Sequence, residues 1–120
     1  MRQLQKVFLL LLLVSSCKQE SSTHKISIEN TLSIIFEEYY KFKDRINPIE
    51  ATKGGNFEYN DFIANYISDA YQKELIEEYK SFLNRLSELD ETKLSKADQI
   101  SMNVMEWDCK MKLQGLQSPI

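Results

Sequence analysis

Apolar residues return every third or fourth position through most of this chain, and that period commits it to helices packed on one another. Ile28, Leu32, Ile35, Phe36, Tyr39, Phe42 and Ile46 share one face, with Glu37, Lys41 and Asp44 on the other side. A second stripe follows Ser68, a natural helix cap: Tyr71, Leu75, Ile76, Tyr79, Phe82, Leu83, Leu86 and Leu89. A third helix starts at Ser95, with Asp98 three residues on, and is expected to run to about Gln114 with Gly115 as its stop. Between the first two, Asn47-Pro48-Ile49-Glu50 begins a short helix capped by Asn47, and Gly54-Gly55 ends it. The segment from Phe57 to Phe62 reads as an ordered loop pinned by its aromatic rings. The expected fold is all-α: a small antiparallel helical bundle of three main helices plus one short helix, over residues 28–117.

Residues 1–16 have a different character. Arg2 and Lys6 make a positive start, Val7 to Val14 is an unbroken apolar run, and Ser15-Ser16 are small. This is the layout of a secretory signal, and its apolar core is far short of the roughly 20 residues that span a bilayer. Val14-Ser15-Ser16-Cys17 resembles the lipobox of bacterial lipoproteins, in which small residues admit the peptidase and the cysteine thiol carries diacylglycerol. Cys17 is therefore the expected lipidation site, and the expected place is the bacterial cell envelope, membrane-anchored through that lipid. Lys18 stands where aspartate would resemble an inner-membrane retention signal, which favours the outer membrane. Residues 17–27 are polar and read as a flexible tether.

Removing the signal takes two of 15 basic residues and none of 18 acidic ones, leaving a net charge of −5. Nucleic acid is an unsuitable partner for such a surface. With Cys17 carrying lipid, Cys109 has no disulfide partner and reads as a small buried hydrophobe. The only histidine, His24, sits in the tether. The pair Glu37-Glu38 and the trio Glu74, Glu77 and Glu78 could suggest carboxylate chemistry. They read better as wet helix faces, with Glu37 and Lys41 in the favourable i,i+4 order and no histidine to complete a bundle metal site. Glu106 with Lys110 and Asp108 with Lys112 repeat that order. Lys53-Gly54-Gly55 lacks the spacing of a phosphate loop. No catalytic, cofactor-binding or metal residue is assigned.

The third main helix is apolar on two sides. Ala97, Ile100, Val104, Trp107 and Met111 gather on one; Met102, Met105, Cys109 and Leu113 lie nearly opposite. The two preceding helices can cover one side only. A neighbour is expected against Met102, Met105, Cys109 and Leu113, either a missing C-terminal part of the protein or a protein partner. Ser118-Pro119-Ile120 just after the helix stop favours the former.

The run Asn47-Pro48-Ile49-Glu50-Ala51-Thr52, then Gly55 and Tyr59-Asn60-Asp61, resembles the start of the bacterial family called domain of unknown function 885. The later order of Leu94-Ser95-Lys96-Ala97-Asp98-Gln99 and Trp107-Asp108-Cys109 is similar too, so the resemblance covers residues 28–117. It implies the front of a longer, mostly helical protein that resembles zinc metallopeptidases, with a zincin-like fold. Zinc, held by an H-E-x-x-H-type helix, is expected only of a full-length relative. This chain would then be a scaffold portion without catalytic residues of its own. The alternative is a complete, non-enzymatic helical lipoprotein acting as a partner-binding module.

Overall fold

The structure, a computed structural model, describes residues 22–118. Its elements are α1 (Ser22–Ile46), α2 (Pro48–Lys53), α3 (Asp69–Ser87), a 3-10 turn (Glu91–Lys93) and α4 (Lys96–Gln117). Among the described residues this is the expected all-helical bundle, three long helices and a short one. Two ends differ from the sequence reading. Helix α1 begins at Ser22, inside the stretch read as tether: no glycine or proline breaks residues 22–27, and extending an existing helix costs far less than starting one. Signal residues 1–16 and tether residues 17–21 lie outside the described residues. Helix α4 runs through Gly115 to Gln117. Leu116 packs against the core and its carbonyl accepts from the Gln72 side chain at 2.7 Å, which outweighs the roughly 1 kcal/mol that glycine costs a helix.

Local chemistry sets most of the other ends. The Ser68 hydroxyl accepts from the Tyr71 N–H at 3.2 Å. The Ser95 hydroxyl accepts from the Asp98 N–H at 3.2 Å and donates to the Asp98 carboxylate at 2.6 Å, a reciprocal cap. Asn47 occupies the cap position of α2, but its side chain makes no capping bond; Pro48 starts that helix through its fixed φ. Gly55, with φ of 89°, takes the left-handed turn that closes it.

The core draws similar numbers of side chains from each long helix. Leu32, Ile35, Tyr39 and Phe42 come from α1, and Leu75, Tyr79, Phe82 and Leu86 from α3. Met102, Met105 and Cys109 come from α4, and Leu94 closes the end. Phe82 meets Tyr39 edge-on at 5.1 Å, and Phe42 meets Tyr79 in the same way at 5.1 Å. Such pairs contribute about 0.5–1.5 kcal/mol beyond their burial.

The glutamates read as a wet face do face solvent, and Glu38, Glu74 and Glu78 also form ion pairs between helices. Glu37 does bind Lys41 on the surface, at 2.8 Å. Arg45, however, reaches across from α1 to Glu74 at 2.9 Å and Glu78 at 3.3 Å, and Glu38 pairs with Arg85. The late residue of α1 meets the early ones of α3 and the reverse, so the two helices run antiparallel. Gln72 and Leu116 fix α3 against α4 in the same sense.

The loop after α2 is held differently from the sequence expectation. Phe57 is 65% exposed, and Phe62 also faces solvent in part. Hydrogen bonds do the pinning instead: Asn56 donates to Asp44 at 2.8 Å, and the Tyr66 hydroxyl donates to the Ile46 carbonyl at 2.8 Å. Ala64 is the loop's buried anchor.

Candidate interaction surface

Helix α4 resolves its two apolar sides in the sense opposite to the expected one. Met102, Met105 and Cys109 are 6%, 5% and 0% exposed, and Leu113 packs against the same core. The face expected to await a neighbour is therefore closed by this chain's own α1 and α3. The open side is Ile100, Val104, Trp107 and Met111, at 57%, 60%, 63% and 42% exposure, and Ala97 is exposed with them.

The physical reason lies in what the other two helices have already placed inside. Tyr39, Phe42, Tyr79 and Phe82 fill the centre with rings. The gaps left between rings suit methionine, which bends to fit, and cysteine, which is small. A tryptophan would overfill that space and bring an indole N–H that needs a partner.

Asp108 supplies the second reason. It was expected to pair with Lys112, four residues on. Instead it turns toward α1 and accepts from the Tyr39 hydroxyl at 2.6 Å and from Lys43 at 3.0 Å. Lys112 contributes only its nearby charge. This seam fixes the rotation of α4 about its axis, so Cys109 points inward and Trp107 outward.

The seam also shifts the groups around it. Burial works to raise the Asp108 carboxyl, but the Tyr39 hydroxyl and the Lys43 ammonium outweigh it and hold it below its ordinary value. Burial, followed by the bond to Asp108, raises Tyr39 strongly; Tyr79 is pushed up to about 12, again chiefly by burial. The Cys109 thiol is raised chiefly by burial, with the neighbouring Tyr39 hydroxyl opposing the shift. A thiol that is buried and reluctant to ionise is a packing group, as the sequence suggested, rather than a nucleophile.

A cleft of 590 Å³ opens beside the seam, between the end of α1, α2, the first half of α3 and the last turns of α4. Tyr39, Lys43, Tyr66, Tyr79, Lys112 and Leu116 line it, among others. Its size suits a small ligand. Its charges are largely spent on structure: Lys43 binds Asp108, Asp44 accepts from Asn56, and Glu50 binds Lys53. No nucleophile stands beside a base there.

Among the described residues no group of three or more His, Cys, Asp or Glu is placed to hold a metal ion. None of their helices is long and apolar enough to cross a membrane. Cys17, the expected lipidation site, lies outside the described residues. Apolar side chains stay open on the stripe of α4, in the loop at Phe57, Ile63, Tyr66 and Ile67, and singly at Ile34, Tyr40 and Ile49. Sequence periodicity found both sides of α4 but not which would close. The Tyr39–Asp108–Lys43 seam left no trace in the spacing, because its members stand 65 and 69 residues apart. Comparison with known proteins finds no matching family model, no matching curated protein and no matching solved structure.

Proposed function

We propose that this chain is a lipid-anchored docking module of the bacterial envelope, held to the membrane, in the first place the outer membrane, through Cys17. The observation that carries the docking half is the continuous open stripe Ile100–Val104–Trp107–Met111 on a helix whose other side closes a full core. Soluble surfaces tolerate scattered apolar residues, but a row of four on one helix face marks an interaction site. The anchoring half rests on the signal layout of residues 1–16 and the lipobox-like Val14-Ser15-Ser16-Cys17. Several acyl chains would make the tether lasting.

Two expected results test the two halves. Cells fed labelled palmitate should place label on the wild-type chain, which pellets with membranes. Cys17→Ser should lose both properties, and label persisting on that variant rejects the anchor. For docking, the full lipoprotein extracted in mild detergent should sediment as a complex larger than its monomer. Trp107→Glu should release the monomer while changing folding stability by no more than about 0.5 kcal/mol, the range for exposed positions. A wild-type chain that already sediments as a monomer refutes the docking role.

A second reading is supported by the same open surfaces together with the resemblance of residues 28–117. In it, the chain is the N-terminal helical portion of a zinc-peptidase-like lipoprotein, and α4 with the loop around Ile63 and Ile67 is covered by later helices. This portion would be scaffold, and zinc would be held by residues outside it. Sequencing the DNA past the codon for Ile120 decides the matter. An in-frame H-E-x-x-H supports this reading, and an immediate stop codon removes it.

A further inference from the structure

We infer that the open stripe of α4 takes a second copy of this chain, laid antiparallel about a two-fold axis between Met105 and Glu106. The inference rests on the docking reading and names its partner.

The open positions 100, 104, 107 and 111 are separated by four, three and four residues, a spacing that reads identically in both directions. An antiparallel copy centred on that axis sets Ile100 opposite Met111 of the other chain and Val104 opposite Trp107. The largest side chain thus meets the smallest of the four, twice, as interlocking helices require. At the ends Ala97 comes within one residue's rise of Gly115, around whose missing Cβ no heavy atom lies within 4 Å.

Side-chain size sets the direction, and charge is compatible with it. At about 100° per residue, Lys96, Asn103, Lys110 and Gln114 flank the stripe on one side, and Ser101, Asp108 and Lys112 on the other. In an antiparallel pair each flank meets its own counterpart. Lys96 then lies beside Gln114, Asn103 beside Lys110, and Ser101 between Asp108 and Lys112, so no like charges meet. A parallel pair brings opposite flanks together, sets Lys110 between Asp108 and Lys112 of the other copy, and stacks Trp107 on itself.

Size is consistent with a modest, closed dimer. The four open side chains and the stems of the flanking lysines amount to roughly 1,000 Å² over two copies, the lower bound for a specific interface. A lipid on each copy would confine both to one membrane and raise their effective concentration. Two-fold closure uses the whole stripe and leaves none for filament growth.

Disulfide trapping in the native envelope tests this geometry. Two differently tagged full-length chains, one carrying Ile100→Cys and one Met111→Cys, are co-expressed and oxidised with copper phenanthroline, with the wild-type pair as the background control. The expected product is a mixed dimer of the two variants, because facing backbones come within the roughly 7 Å that a disulfide can bridge. Ile100→Cys alone should give no dimer, since its two copies sit eleven residues apart, or about 16 Å along the helix. A dimer of Ile100→Cys with itself and no mixed dimer overturns the antiparallel pair. A disulfide to a different protein overturns the second copy as occupant while leaving the docking reading in place. No adduct, with both thiols fully reactive to a membrane-impermeant maleimide, overturns both.

Discussion

Phe82→Ala should cost this domain about 3–5 kcal/mol of folding stability, the range for removing a buried ring. Phe82 is 5% exposed and stands where the ring systems of α1 and α3 interlock. It lies 5.1 Å from Tyr39 edge-on and 5.5 Å from Phe42, with the Arg85 guanidinium 5.8 Å from its ring. Truncation removes the buried area, both ring contacts and the platform beneath the arginine that pairs with Glu38. Its neighbours are themselves rings clamped by interhelix ion pairs, so they cannot collapse into the gap. The whole stability of a domain this size is about 5–15 kcal/mol, so the variant should approach the unfolding threshold at ambient temperature. Urea denaturation followed by far-ultraviolet circular dichroism measures the loss, and the melting temperature should fall by roughly 15–30 °C. Phe57→Ala, on an exposed ring, is the matched control and should change stability by no more than about 0.5 kcal/mol. A loss below 1 kcal/mol at Phe82 would mean that α1 and α3 do not pack through this residue.

The same contrast marks how far sequence alone could go. The stripes predicted the helices and, among the described residues, every buried residue of α1 and α3, because each has one apolar side and packing must bury it. Ser68 and Ser95 were legible as caps because a cap is a local event, fixed within three residues. Helix α4 exposed the limit. Two apolar sides on one helix are a local fact, but the choice between them depends on the volume left by four rings and on Asp108 finding Tyr39 and Lys43. Both are long-range properties that no window of residues contains. The same reasoning covers Glu38, Glu74 and Glu78. They are the solvent-facing acids the sequence suggests, but their partners, Arg85 and Arg45, come from another helix and lie outside any local window. The open apolar side was therefore expected on the correct helix but on its wrong face.

Asp108→Ala should be the most damaging polar substitution, at about 2–3 kcal/mol, because it leaves the buried Tyr39 hydroxyl without its acceptor. Asp108→Asn keeps a carbonyl oxygen within reach and loses only the charge, so its cost should be about half as large. Comparing Asn with wild type against pH isolates the electrostatic part. The folded-state pKa of Asp108 is depressed, so its ionised form stabilises the fold. That stabilisation is fully present above the unfolded carboxyl value near 4, and it is lost as pH falls through the lower folded value. The difference between wild type and Asp108→Asn should therefore be level from pH 7 to about 5 and should close on further acidification. The tyrosines act at the other end of the scale with the opposite sense. Tyr39 and Tyr79 hold their protons in the fold above the unfolded value near 10, so their contribution is intact below that pH and is lost as it rises further. Chemical denaturation of both proteins at pH steps from 3 to 11 gives the two limbs. A wild-type advantage that widens toward pH 3 would show that Asp108 is not the acceptor at this seam. The rotation of α4, and with it the identity of the open stripe, would then need another cause.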